Sequence, residues 1–202
     1  IAQELDPARP VTYAENNLYR ARREKTIGIP DIWSVNYELD VLEEARDFCR
    51  LQYVIVSECC NHPTSIKGDD RAELTQIATL EYEWTLLADR SYLAGHAVWG
   101  FTDYATEYRR RFRRQAGLFD AWRRPKMAAE LVRARYAKEA FVSLFLTGDS
   151  EEGELHVFSN CDRIRVRVDG KPTVEFGREN HHVVSLDGPF SVVRAEGIRG
   201  GV

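Results

Sequence analysis

The chain has 202 residues, 44% hydrophobic and 30% charged, and its 28 Lys+Arg against 32 Asp+Glu leave a net charge of −4. That much apolar surface offsets the ordering entropy of a core, which excludes collagen-like, low-complexity and wholly disordered chains. No run approaches the roughly 20 apolar residues that cross a bilayer, so no membrane partner is expected.

The start, Leu5-Asp6-Pro7 with no initiating Met, reads as the middle of a longer chain. Residues 9–14 enter a first strand through Pro10, residues 31–37 form a second, and Val54-Ile55-Val56 within residues 53–57 is a β-branched run suited to a strand buried on both faces. Residues 95–101 form a fourth. Helices lie between the strands. Leu39, Leu42, Ala45 and Phe48 recur every third residue, and Leu74, Ile77, Trp84 and Leu87 line a longer helix that Asp69 or Asp70 caps. Pro125 marks the first position of a helix with Ala128, Leu131 and Tyr136 on one face. Alternation of this kind predicts a parallel sheet or barrel with helices outside.

From Phe141 the period becomes two. Val142/Leu144/Leu146, Leu155/Val157, Ile164/Val166/Val168, Val174/Phe176, Val183/Val184 and Val192/Val193 are short strands separated by turns such as Asp169-Gly170. They predict a small β-sandwich, and its span of about 60 residues, against about 100 for an immunoglobulin domain, predicts a truncated one.

The 4 cysteines, Cys49, Cys59, Cys60 and Cys161, have no Cys-x-x-Cys spacing, and adjacent Cys59 and Cys60 are a poor clamp for one metal. Buried reduced thiols in a cytoplasmic-type domain are expected instead, with no metal and no cofactor. Glu58 carries the strongest chemical signal, because parallel barrels place catalytic groups where buried strands end. From position alone, a Glu that caps a helix or pairs with an arginine is an equal reading. Other strand ends add Asn36, Tyr37, Trp99, Thr102 and Asp103. Sugar rings stack on indole and offer hydroxyls to amides and carboxylates, so these residues together suggest a saccharide pocket.

The blocks Asp6-Pro7-x-Arg9-Pro10-Val11-Thr12, Ser34-Val35-Asn36-Tyr37, Val54-Ile55-Val56-Ser57-Glu58, Gly95-His96-Ala97-Val98-Trp99-Gly100-Phe101-Thr102-Asp103-Tyr104 and Gly117-Leu118-Phe119-Asp120-x-x-Arg123-x-Pro125-Lys126-x-Ala128-Ala129 resemble the second half of the (β/α)8 TIM barrel of family 2 glycoside hydrolases. That family includes β-galactosidases, β-glucuronidases and β-mannosidases. Val157-Phe158-Ser159-Asn160-Cys161-Asp162 through Asp169-Gly170-Lys171 is similar to the immunoglobulin-like domain that follows the barrel in many members. The resemblance implies an α/β half-barrel over residues 1–138 and an immunoglobulin-like β-sandwich over residues 139–202.

It further implies a retaining β-glycosidase with Glu58 as nucleophile, Tyr37 orienting it, Trp99 flooring the sugar site, and Asn36 and Asp103 among the substrate-binding residues. The family's acid/base Glu follows an Asn upstream of the Asp-Pro-x-Arg-Pro block, so no acid/base residue is assigned here and the isolated chain is expected to be inactive. Its expected partners are a carbohydrate and either the N-terminal half of the barrel or a second copy of the chain. Glucuronidases hold the sugar carboxylate with an Asn-x-Lys pair where this chain has Arg113-Arg114-Gln115-Ala116-Gly117; the departure points to a β-galactosidase-like member, with electrostatic substitution by the arginines as the open alternative. The segment Cys59-Cys60-Asn61-His62-Pro63 also departs from the Tyr-Gly that follows the nucleophile in many members. Two other classes remain open. One is a non-catalytic scaffold or β-sandwich interaction module; the other is a polyanion-binding surface built on Tyr108-Arg109-Arg110-Arg111-Phe112-Arg113-Arg114 with Arg123, Arg124 and Lys126, although the acidic overall charge disfavours nucleic acid.

Overall fold

A computed structural model describes residues 1–26, 28–62, 64–107, 113–148 and 152–200. In chain order the elements are α1 (Ala2–Leu5), β1 (Thr12–Glu15), α2 (Leu18–Arg23), β2 (Ile32–Asn36), a 3-10 turn (Leu39–Val41), α3 (Leu42–Asp47), β3 (Val54–Cys59), α4 (Asp70–Leu87), β4 (Leu93–Val98) and α5 (Met127–Tyr136). There follow β5 (Val142–Gly148), β6 (Glu152–Ser159), β7 (Arg163–Val168), β8 (Lys171–Phe176), β9 (His181–Asp187) and β10 (Val193–Ile198). Two compact units emerge, one of Ile1–Thr64 with Ala78–Gly117 and one of Ser65–Ile77 with Leu118–Val202.

In the first unit β1, β2, β3 and β4 lie side by side in that order, every neighbouring pair parallel. Parallel neighbours require crossovers, and helical segments supply them, as the alternating pattern predicts. Trp33 and Val35 of β2 and Val54 and Val56 of β3 are buried, each pair on one face of its strand, while Ile32 and Ile55 on the opposite faces are half-buried, so β3 is fully buried on one face and not on both. Two boundaries differ from expectation with consequences for the site. The first strand begins at Thr12, because Asp6 folds residues 6–9 into a turn by accepting the Ala8 N–H at 3.1 Å and the Arg9 guanidinium at 2.5 Å. The third runs on to Cys59, so Glu58 lies within the strand and not after it. Helix α2 has no clear periodic signature because arginines crowd its few residues; Asn17 caps it by accepting the Arg20 N–H at 2.7 Å, and Leu18 and Ala21 are buried. Asp69 caps α4, accepting the Ala72 N–H at 3.0 Å.

In the second unit α5 starts at Met127 and not at Pro125. Lys126 is still extended and donates its N–H to the Leu118 carbonyl at 3.0 Å. Its ammonium is fully buried and reaches the Ser65 carbonyl at 2.5 Å, while buried Glu73 accepts the N–H groups of Gly68 at 2.7 Å and Met127 at 2.6 Å. The six strands form two three-stranded antiparallel sheets, ordered β10-β7-β8 and β5-β6-β9. Leu155, Val157, Cys161, Ile164, Val166 and Leu186 form a core drawn from both. Asp169 (φ 48°) and Gly170 (φ 78°) make the left-handed turn between β7 and β8 that the sequence signals. A Cβ at Gly197 would stand 2.5 Å from both Cys161 Sγ and Val142 Cγ2, so only glycine fits there without a shift.

His182 is buried, stacked on Phe176 with ring centroids 4.2 Å apart, and its Nε2 has no hydrogen-bond partner among the described residues. Burial pushes its pKa below the ordinary 6.5, against the opposing pull of Glu179 at 3.7 Å and a backbone hydrogen bond with Gly177, while neighbouring His181 pushes it further down. The folded state therefore favours the neutral ring. Its contribution to stability is present above pH ~6.5 and is lost as pH falls through the lower folded-state value. Urea midpoints measured between pH 8 and pH 5 should fall with pH, and more shallowly in His182→Gln; an equal slope in both proteins would remove His182 as the cause.

Candidate active site

The C-terminal ends of β2 and β3 are brought together by an irregular register: Val35 pairs with Val56, but Asn36 pairs with Glu58. The extra residue on β3 turns Glu58 toward the end of β2. Directly after β2, Tyr37 takes φ 65°, a left-handed conformation that costs a bulky residue roughly 1–2 kcal/mol. Its N–H donates to the Glu58 carbonyl at 2.9 Å, and its hydroxyl donates to Glu58 Oε2. Strain of this kind persists where the surroundings enforce it, commonly at functional sites. Burial, then the Glu58 carboxylate, pushes the Tyr37 phenol well above its ordinary value, so Tyr37 stays a proton donor and Glu58 its acceptor.

Asn36, beside them, accepts the Ser57 hydroxyl at 2.6 Å through Oδ1. Trp99 follows β4, and its backbone N–H donates to the Cys59 carbonyl at 2.8 Å, which sets it at the same end of the sheet. It is half-buried, with its ring edge-on to Tyr104 at 6.1 Å and 85°. The indole Nε1 is buried with no hydrogen-bond partner among the described residues. Asp103 accepts the Gly117 N–H at 3.0 Å through Oδ1, closing the base of a loop in which Tyr104 and Arg114 pair through their backbones at 3.1 and 2.9 Å. One Asp103 oxygen is therefore committed to the loop.

Tyr104 and Arg114 carry a charge pattern that the strand-end reading did not single out. Both act on the Tyr37 hydroxyl, with the Arg114 guanidinium holding its proton affinity down and Tyr104 raising it. Arg114 is half-buried, and its Nε is buried with no hydrogen-bond partner among the described residues. Only the loop's pairing brings it here, since it lies outside any regular element. Of the other members of the basic stretch, residues 108–112 lie outside the described residues. Arg124 is bound to Asp120 at 2.5 Å and Lys126 is buried, so neither offers a free cationic surface.

Adjacent Cys59 and Cys60 are expected from the sequence to be a poor clamp for one metal, yet the fold brings their two thiols together. Side chains alternate along a strand, but Cys60 takes φ 59°, and its thiol comes to 3.4 Å from that of Cys59. Both are buried, and Glu83 of α4 accepts the Cys60 N–H at 2.6 Å. The Cys59 thiol, then burial, pushes the Cys60 thiol far above the ordinary cysteine range. At the other end of β2, buried Asp31 accepts from Val11 N at 2.9 Å, Gln3 Nε2 at 3.0 Å and Arg50 Nε at 2.5 Å, and these bonds, the Val11 N–H foremost, lower its pKa to about 2. Every bond of Asp31 joins chain segments to each other, a structural tie.

No family model matches the chain. In sequence it is 29% identical over 170 residues to the β-glucuronidase of Sus scrofa, an alignment covering 70% of this chain and 25% of that protein. The chain thus spans about a quarter of the length of the curated relatives it matches. In structure it resembles a β-glucuronidase of Bacteroides uniformis (TM-score 0.73, 20% identity, 99% of this chain and 28% of that one). It also resembles a glycosyl hydrolase family 2 member of Bacteroides cellulosilyticus (TM-score 0.68, 15% identity, 99% of this chain and 28% of that one). The resemblance to family 2 glycoside hydrolases read from the sequence blocks is supported by both comparisons.

Proposed function

We propose that this chain, similar to a piece of a family 2 glycoside hydrolase, carries the nucleophile half of a retaining β-glycosidase. The single observation that carries the reading is the Tyr37 hydroxyl donating to Glu58 Oε2 across adjacent parallel strand ends. In this reading residues 1–138 are the second half of a (β/α)8 barrel and residues 139–202 an immunoglobulin-like sandwich. Four parallel strands with helical crossovers, and six antiparallel strands after them, support that order of parts, while residues 65–77 and 118–138 group with the second compact unit.

Glu58 attacks the anomeric carbon as the bond to the leaving oxygen breaks, giving a glycosyl ester that water then cleaves. Tyr37, kept protonated, orients the carboxylate and shares its charge. Trp99 offers a ring face and an unpartnered N–H to the sugar, with Asn36 and Asp103 lining the same rim. A carboxylic acid from the other half of the barrel protonates the leaving group. The chain's partners are then a carbohydrate and that half.

A galactoside is the specificity expected from the missing Asn-x-Lys pair. The buried, unpartnered Nε of Arg114 favours a sugar bearing a carboxylate, as the names of the sequence relatives also suggest. The complete enzyme assayed on paired aryl β-glucuronide and β-galactoside substrates decides between them. We expect the glucuronide to be preferred, and Arg114→Gln to lower its kcat/KM by roughly 10- to 150-fold while leaving the galactoside unaffected, since a charge-assisted hydrogen bond contributes about 1.5–3 kcal/mol. Preference for the galactoside, with equal losses on both sugars in Arg114→Gln, restores the galactosidase reading. Trapping with an activated 2-fluoro glycoside should label Glu58; a label elsewhere overturns the nucleophile assignment.

A further inference from the structure

We propose that Cys59, Cys60 and Glu83 bind one thiophilic divalent cation, Zn2+. One ligand atom from each of the three lies within 4.8 Å of the others. The grouping is made by tertiary structure. Cys59 ends β3, Cys60 turns its thiol back through φ 59°, and Glu83 arrives from α4.

Packing alone does not account for the arrangement. Buried thiols by themselves behave as small hydrophobes, yet here a carboxylate is held against both of them and is fastened at one oxygen by the Cys60 N–H at 2.6 Å. A carboxylate has a second oxygen for a cation, and carboxylate with thiolate is a donor set that zinc accepts. The dimensions agree. With Zn–S near 2.3 Å, two sulfurs on a tetrahedral ion stand about 3.8 Å apart, and these stand 3.4 Å apart, so an opening of a few tenths of an ångström admits the ion between them. A water completes four-coordination.

The charges balance. Two thiols become thiolates and release two protons to solvent, and with the Glu83 carboxylate they leave a bound dication carrying one net negative charge over its three protein donors. No electron is transferred. Since Cys59 directly follows Glu58, the cation would brace the strand end that carries the candidate nucleophile. The cation site rests on its own donors, independently of the sugar chemistry, and its failure would leave the glycosidase reading untouched.

The test uses the full-length protein, reduced, stripped with a chelator and titrated with Co2+ as a spectroscopic stand-in. The expected result is a near-ultraviolet sulfur-to-cobalt charge-transfer band saturating at one equivalent, displaced by one equivalent of Zn2+, with two protons released per cation. Cys60→Ala should abolish the band, Glu83→Gln should weaken binding while keeping it, and the Cys49→Ser/Cys161→Ser double variant should bind like the parent. Zn2+ should also raise the Tm of the parent and not of Cys60→Ala. Absence of the band in the reduced parent overturns the proposal, as does a band that survives in folded Cys60→Ala.

Discussion

Glu58→Gln in the complete enzyme should lose turnover by several orders of magnitude while its far-ultraviolet circular dichroism and urea midpoint stay near those of the parent. The amide keeps the size of the carboxylate and can still accept from Tyr37, but it has no anionic oxygen to form the glycosyl ester, so the covalent step is lost and not merely slowed. Glu58→Ala adds a second reading of the same chemistry. Removing the side chain leaves room for azide, and on an aryl glycoside whose leaving group needs no proton, azide should restore part of the rate and give a glycosyl azide of opposite anomeric configuration. Turnover within tenfold of the parent in either folded variant would sink the nucleophile assignment. Tyr37 would then be a strained residue with a structural purpose only.

Trp33→Ala should produce the largest loss of stability among single changes in the first unit, about 3–5 kcal/mol, as for other buried Trp truncations. Trp33 is 1% exposed, lies on β2 between β1 and β3, and meets the Tyr13 ring edge-on at 5.2 Å and 64°. Its side chain fills space that no neighbour can reclaim without moving a strand. At roughly 2–4 °C per kcal/mol for a chain of this size, the expected fall in Tm is roughly 6–20 °C. Trp33→Phe, which keeps a ring against Tyr13, should lose less. Because β2 ends at Asn36, with Tyr37 next, the Ala variant should also lose kcat at temperatures well below its Tm. A loss under about 1 kcal/mol would show that the β2 core repacks freely.

Much of this architecture is written in local pattern. Val54-Ile55-Val56 announces a strand, Asp69 announces the start of α4, and Asp169-Gly170 announces the β7–β8 hairpin, each because the signal lies within a few residues of its effect. Order along the chain carries the rest: five separated blocks in sequence resemble the family 2 glycoside hydrolases and single out Glu58. Short α2 escaped the periodicity because six residues give too few turns for a face to declare itself. Pro125 misled for a related reason, since the backbone bond of Lys126 to Leu118, a partner distant along the chain, delays α5 until Met127.

Local pattern shows which residues are strand and helix formers, where the period changes from helical crossovers to alternating strands, and that a carboxylate stands near the end of a strand. The family resemblance implied Tyr37 as the partner of that carboxylate, and the geometry by which the two meet comes from the tertiary structure. Tyr37 and Glu58 lie 21 positions apart, and their hydrogen bond exists only because β2 and β3 run parallel with a one-residue irregularity between Val35 and Asn36. A shift of a single residue in that register would turn the side chains to the opposite face. Arg114 reaches the same site through a loop pairing, and the two adjacent thiols face each other through a left-handed φ at Cys60. Register, loop closure and a positive φ each depend on contacts distributed over the folded chain, so none leaves a local signature in the residues that depend on it.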